Sequence, residues 1–524
     1  MADIVQRELD RAIGSAPADR SAAGRADTIT WSLAAAAIAL LLLAWTFGVE
    51  RRGFDYDELE HAHTVWMMSE GLRPFADFLQ GHPPFPWYAF EPLTRGATDT
   101  LRLMLELRVA SGATHVAMIL LCIANMRIGR AAIPLPWTAA GVLVMLAGRP
   151  NIDYLIDFRP DSLATIPLLA GTLLLGLRLP RNATARYVLA SLLGVTSILC
   201  SPKLFVFWGI FAVVELAALF RSDRPAVLRA VASHVGGAAF AAAMGAAVLL
   251  VQGIDPIVAY SLTIRFHALL GTNAAFGHGL AMALPQQAVL LLLIAGGAFC
   301  WAALCRKVQL RPSAFEITVI VFLPLQAAIV PFPYKQYFVP WFLLGATFVH
   351  FIPAALARVS LRVARLAAAA ILLLALSAGM FAAAGMAEED GLRLAGDYWA
   401  LLESSVPATG RVVASVPLHP ITRLDACYGW MRSGDPSGRY ETVEAMRDLN
   451  LPGYSERFTA PWFDRELEAA RPVLIATGPV GDYRLASAYA AAVADYARRH
   501  AAEYSAIKVR NGTLLVRKPE RPAP

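Results

Sequence analysis

The stretch that decides the reading is Thr30-Trp-Ser-Leu-Ala-Ala-Ala-Ala-Ile-Ala-Leu-Leu-Leu-Leu-Ala-Trp-Thr-Phe-Gly-Val49, followed at once by Phe54-Asp-Tyr-Asp-Glu-Leu-Glu-His-Ala-His-Thr-Val-Trp-Met-Met-Ser-Glu-Gly71. The first part is uncharged and has the length of a bilayer-spanning helix. A cleavable signal peptide has a shorter apolar core nearer the start, so a permanent first span is expected, after a polar tail over 1–29. The second part crowds Asp55, Asp57, Glu58, Glu60, His61 and His63 immediately beyond that span.

The rest of the chain repeats the apolar signal. Hydrophobic residues make up 57% of the 524 residues and charged residues 16%, against roughly 25% charged in a soluble protein. That excludes a wholly soluble enzyme, a disordered chain and a fibrous repeat. Further spans are expected near 110–126, 132–149, 161–178, 186–201, 203–220, 231–253, 285–305, 315–331, 336–353 and 364–385, about eleven in all. Within 186–220 only Ser201-Pro202-Lys203 interrupts the apolar run. The net charge of +6 fits cytoplasmic loops rather than a nucleic-acid partner. Every second loop is basic: fourteen Lys and Arg, from Arg127 to Arg365, lie in alternate loops, against five (Arg149, Arg159, Lys203, Arg265 and Lys335) in the others. This positive-inside pattern places the amino terminus in the cytoplasm and, with an odd span count, the tail outside. The five cysteines form neither a disulfide framework nor a metal motif.

The expected organisation is an all-α polytopic membrane part over 30–385, with a long first outer loop at 50–109, and a soluble α/β tail over 386–524. In the tail, strands are expected at Arg411 to Val416, Val473 to Thr477, Tyr504 to Val509 and Thr513 to Arg517. The last two form a hairpin around Asn511-Gly512. Helices are expected at Glu441 to Asp448 and Arg484 to Arg499. His419, Asp425, Cys427, Tyr428 and Trp430 read as fold residues there.

In the first outer loop, Asp57 to Glu70 reads as a helix stopped by Gly71. Its apolar positions Leu59, Ala62, Val65 and Trp66 suit the membrane surface. The plain reading of Asp57 is an N-cap, with Glu60 completing a capping box. The functional reading takes Asp57 as a general base, with Glu58 and His61 (His61 shares its helix face) as supporting groups. The same Asp, Glu and His cluster also suits a divalent cation, and spacing leaves both open. Beyond Gly71, His82-Pro83-Pro84 makes a stiff turn, and Phe85, Trp87 and Tyr88 read as an interfacial aromatic belt.

The order Asp57-Glu58, short helix, Gly71-Leu-Arg-Pro-Phe-Ala-Asp-Phe78, then His82-Pro-Pro resembles the first outer loop of family 39-type membrane glycosyltransferases of the GT-C superfamily. These are the protein O-mannosyltransferases, the lipid A aminoarabinose transferases and their bacterial relatives. The resemblance covers this loop and the layout over roughly 30–385. It implies an enzyme of the bacterial inner membrane. Such an enzyme moves a sugar from a polyprenyl-phosphate donor to a lipid, glycan or protein acceptor on the periplasmic face, with the acidic residue in this loop. His82 stands where the aminoarabinose branch carries lysine, so the same sugar and phosphate contact are not implied.

Phe158-Arg-Pro-Asp161 resembles an Arg-Pro-Asp motif of bacterial relatives and also reads as a helix start. Pro331-Phe-Pro-Tyr-Lys-Gln-Tyr-Phe338 resembles the start of a late span in the same enzymes. Arg159, Lys203 and Lys335, with His82, are the donor-phosphate candidates; snorkelling is the plain reading of the two lysines. Asp161, Gln336 and Tyr337 are substrate-cavity candidates. The loop 254–284, with Arg265, His267, Asn273 and His278, is long enough to close over a substrate. A polyprenyl phosphosugar leaves as phosphate, so one carboxylate and several cations suit its transfer, unlike the carboxylate pair of a glycosidase. A transporter or lipid flippase is the competing class. It calls for mid-span ionisable residues beyond His115, Glu215 and His234, or for broken helices in matching halves.

Overall fold

The computed structural model describes residues 20–518 apart from 79, 272–277, 330–334, 407–409, 415–418, 422–423, 426–447, 452–458, 478–484, 486 and 510–511. The expected helix at Glu441 and the residues Cys427, Tyr428 and Trp430 lie outside the described residues.

The chain is a multi-pass membrane protein. Among the described residues nine helices are long and apolar enough to cross a membrane: Thr28–Arg51, Thr100–Arg127, Pro160–Leu177, Ala183–Cys200, Pro202–Ser222, Arg224–Val251, Gln287–Lys307, Val339–Leu356 and Leu361–Ala387. Two shorter apolar helices, Leu135–Leu146 and Ala314–Ala328, stand where the spans at 132–149 and 315–331 are expected. Each helix satisfies its own backbone, which lipid requires. Local chemistry sets several ends. Asp99 caps Thr100–Arg127 through the Arg102 amide at 3.0 Å. Pro160 stands in the first turn of Pro160–Leu177. The run 186–220 is two helices, because Pro202-Lys203-Leu204 forms a single 3-10 turn between Ala183–Cys200 and Phe205–Ser222. The second span begins at Thr100, ten residues before the expected 110, which brings Arg108 inside a helix.

The tail carries a five-stranded sheet of order β2-β1-β3-β5-β4, with β1 at Arg411–Val413, β2 at Leu424–Asp425, β3 at Leu474–Ala476, β4 at Tyr504–Val509 and β5 at Gly512–Arg517. β1 runs parallel to β2 and β3, and β5 pairs antiparallel with both β3 and β4. β2 and the helices Gly391–Ser405 and Ala460–Ala470 were not expected; β2 has two residues, too few for an alternating pattern. Strand alternation sends the two faces to different partners. Val413 and Ile475 pack with Phe463, Leu467, Tyr489 and Val493 of the tail's own helices. Val412, Ala414, Leu474 and Ala476 pack in one cluster with Ala62, Val65, Trp66, Trp87 and Phe90 of the first outer loop.

That packing corrects two expectations. The loop helix does not rest on the membrane with its apolar face, because Ala62 and Val65 are completely buried against protein. Trp87 is no belt residue either: it too is fully buried. Residues of the tail's sheet cover this apolar surface.

Candidate active site

The loop helix spans Tyr56–Ser69, and its N-cap is Asp55 rather than Asp57. The sequence holds two Asp-x-x-Glu boxes, Asp55 to Glu58 and Asp57 to Glu60. The structure uses the first: Asp55 Oδ1 accepts the Asp57 and Glu58 amides at 2.7 and 3.2 Å, and Glu58 accepts the Asp55 amide at 3.2 Å. Gly71 follows the helix at φ 83°, the left-handed conformation glycine tolerates.

Glu58 is the hub beneath this helix. It is completely buried and takes a two-pronged contact from Arg108, at 2.8 and 2.7 Å. Arg52 reaches it at 3.1 Å and the Phe158 amide at 3.1 Å. Arg108 also donates to the carbonyls of Arg52 and Gly53, both at 2.9 Å. Its guanidinium lies 4.0 Å over the Phe54 ring, which stacks at 5.2 Å on Trp399 of the tail. Burial pushes the Glu58 carboxyl up, but the charge and hydrogen bonds of Arg108, with Arg52, outweigh it and hold the group at about 2. A depressed carboxyl stabilises the fold above its unfolded value of 4.5 and loses that contribution as pH falls towards about 2. The melting temperature is therefore expected to drop between pH 5 and pH 3, and Glu58→Gln is expected to flatten that dependence. An unchanged slope in Glu58→Gln would assign the acid sensitivity to other carboxylates.

Arg159 is a clamp. Its Nη1 donates to Asp57 at 2.7 Å and its Nη2 to Asp55 at 2.8 Å, while Nε reaches Asp157 at 3.3 Å. Burial opposes its charge, and Asp57 and Asp55 more than restore it, so its pKa is raised. Asp157 is also paired with Arg52. One buried guanidinium thus fixes Asp55 and Asp57 and ties them to the start of Pro160–Leu177.

The other expected residues converge from there. Lys203 pairs with Asp161 at 2.6 Å. Lys203 is the partner whose charge acts most on Asp161, and His82 and Arg159 also lie close enough to act on it. His61 packs 5.3 Å from His82 and 4.8 Å from Trp87, within the fields of Asp57 and Asp161. Burial, with His82 beside it, pushes His61 down to about 3, so its ring is neutral near pH 7. Asp161 and Lys203 stand at a cavity walled by Met118, Leu204, Phe207, Phe322, Trp341 and Leu344, with Thr165 and Gln326 as further polar groups. Lys335, Gln336 and Tyr337 open the helix Lys335–Val349, and their side chains lie outside the described residues, as do those of His267, Asn273 and His278. Arg265 is exposed. Among the described residues no three His, Cys, Asp or Glu side chains converge as a metal site; Arg52, Arg108 and Arg159 engage the loop's Asp55, Asp57 and Glu58.

Arg52 and Arg108 are partners of Glu58 that the sequence reading did not single out. For Arg108 the available signal was an arginine in the first turns of an apolar helix, which calls for a carboxylate partner; Arg52 follows the end of the first span.

In a search of solved structures, this arrangement of helices and sheet is similar to the crystal structure of ArnT from Cupriavidus metallidurans bound to undecaprenyl phosphate. The TM-score is 0.58 at 13% identity, covering 93% of this chain and 98% of that one. The chain has the GT-C fold. The same ArnT in its apo state gives a TM-score of 0.50 at 14% identity, covering 92% and 96%. The oligosaccharyltransferase AglB from Archaeoglobus fulgidus gives 0.44 at 13% identity, covering 84% and 69%. No family model and no curated protein matches the sequence. Within this fold, the loop after the first span, the start of Pro160–Leu177 and the Ser201–Lys203 turn meet at one end of the bundle. The opposite end is closed by Arg130 and Glu316, paired at 2.6 Å.

Proposed function

We propose that this chain is a membrane glycosyltransferase that moves a sugar from a polyprenyl-phosphate donor to a hydroxyl acceptor on the outer face of a bacterial inner membrane. The observation that carries this reading is the Arg159 clamp on Asp57, whose guanidinium also feels the charge of Asp161, the residue that lines an apolar cavity together with Lys203. Asp55 caps the helix through Oδ1 and meets Arg159 through Oδ2; Asp57 is bound by Arg159 through Oδ2. In the reaction, the acceptor oxygen attacks the anomeric carbon and its proton passes to the Asp57 carboxylate. The bond from that carbon to the phosphate oxygen breaks, and the phosphate keeps the electron pair. Lys203 and His82 stabilise the charge that develops there. Arg159, with its donors on carboxylates, orients the base. Glu58, Arg52 and Arg108 hold the loop helix in place. The cavity's apolar walls suit the polyprenyl chain, and ArnT, bound to undecaprenyl phosphate, is similar in fold.

The test is to incubate the purified protein in lipid nanodiscs with a panel of polyprenyl phosphosugars. Release of polyprenyl phosphate from one of them is expected; release from none would reject the reading. Orientation is part of the proposal, since basic residues fill the loops opposite the site. A reporter active only in the periplasm is expected to be active after residue 524 and silent after Arg224. The reverse pattern would put the site on the cytoplasmic face.

A further inference from the structure

We infer that Asp161 is an internal anion that pairs with Lys203, yields it to the donor phosphate, and returns to expel the product phosphate. The inference rests on the glycosyl-transfer reading and adds a determinant of turnover to it.

The observation is that the lysine best placed for a phosphate is already taken. Lys203 Nζ lies 2.6 Å from Asp161 Oδ1, with the two side chains 33% and 15% exposed. Both are anchored by local structure: Asp161 follows Pro160 in the first turn of its helix, and Lys203 follows Pro202 in a 3-10 turn. Ser201, in the same turn, donates to Asp161 Oδ1 at 3.4 Å. Both members of the pair line the cavity.

Charge balance gives the pair its consequence. The ion pairs of the site join five carboxylates (Asp55, Asp57, Glu58, Asp157 and Asp161) to four cations (Arg52, Arg108, Arg159 and Lys203). Among the described residues, Lys203 is therefore already balanced by a carboxylate. A donor phosphodiester brings a single negative charge. The polyprenyl phosphate left behind is a monoester carrying about 1.5–2 negative charges near pH 7. With Lys203 unopposed, the product would be the tightest ligand of the cycle and its release would limit turnover. A carboxylate within reach of the same ammonium weakens both ligands and hastens the departure of the more highly charged one.

The experiment measures equilibrium binding of undecaprenyl phosphate to the full-length protein in nanodiscs, for wild type, Asp161→Asn, Lys203→Met and the double variant. Asp161→Asn is expected to tighten binding by about tenfold or more, the scale of one charge-assisted contact. Lys203→Met is expected to weaken binding, and the double variant to lose the gain. In turnover assays Asp161→Asn is expected to lower both KM for the donor and kcat, with stronger inhibition by product. Asp161→Ser serves as a second variant should the asparagine form misfold, and the same tightening is expected of it. Unchanged or weaker binding in folded Asp161 variants, with wild type binding normally, overturns the inference and leaves the glycosyltransferase reading standing. No binding by wild type, together with no release of polyprenyl phosphate from any donor, overturns both.

Discussion

Asp57→Asn is expected to lower turnover by roughly 100-fold or more, the scale of a lost general base, while the protein still inserts and folds. Asp55→Asn is the matched control and is expected to retain most activity, because asparagine caps a helix about as well as aspartate. The contrast follows from geometry. Asp55 accepts two backbone amides through Oδ1 and Arg159 through Oδ2, so its lone pairs serve the fold. Asp57 lies in the first turn with the Arg159 contact on Oδ2 at 2.7 Å. The measurement is release of polyprenyl phosphate per enzyme at saturating donor, with thermal melting as the folding control. Near-normal turnover in Asp57→Asn would end its assignment as the base and transfer the question to Asp55 and Asp161. Loss of activity in Asp55→Asn alone would do the same.

Arg108→Met is expected to destabilise the protein by about 3–5 kcal/mol, since it leaves Glu58 charged and buried without its two-pronged partner. The side chains of both residues are fully inaccessible, so water cannot replace the lost contact. Pairing Arg108→Met with Glu58→Gln is expected to recover much of the loss, because the uncompensated charge is then gone. Thermal unfolding in one detergent and at one pH is the measurement. A single-variant loss below about 1 kcal/mol would show that Arg52 alone suffices to hold Glu58, and that the loop helix is fastened elsewhere. Because Arg108 also carries Phe54, which stacks on Trp399, the variant is further expected to loosen the tail from the loop.

The membrane architecture is legible in the chain because it is a local property. A span in lipid must bury its own backbone hydrogen bonds and present apolar side chains over about 20 residues, so each announces itself without reference to its neighbours. The acidic loop, the Arg159-Pro-Asp161 motif and Lys203 are legible for a related reason: charges beside apolar spans are few and stand out. Tertiary structure alone decides what those charges do. Two capping boxes overlap at Asp55 and Asp57, and nothing local separates them. Arg108, fifty residues on, selects the first by taking Glu58 into the interior. Arg159 looks from the sequence like a phosphate ligand, but it becomes a clamp because three aspartates from two segments converge on it. Trp87 and the apolar face of the loop helix look like membrane-facing surface until the tail's sheet lies over them. Burial and ion pairing between distant segments depend on which surfaces meet, and apolar periodicity carries no record of a partner hundreds of residues away.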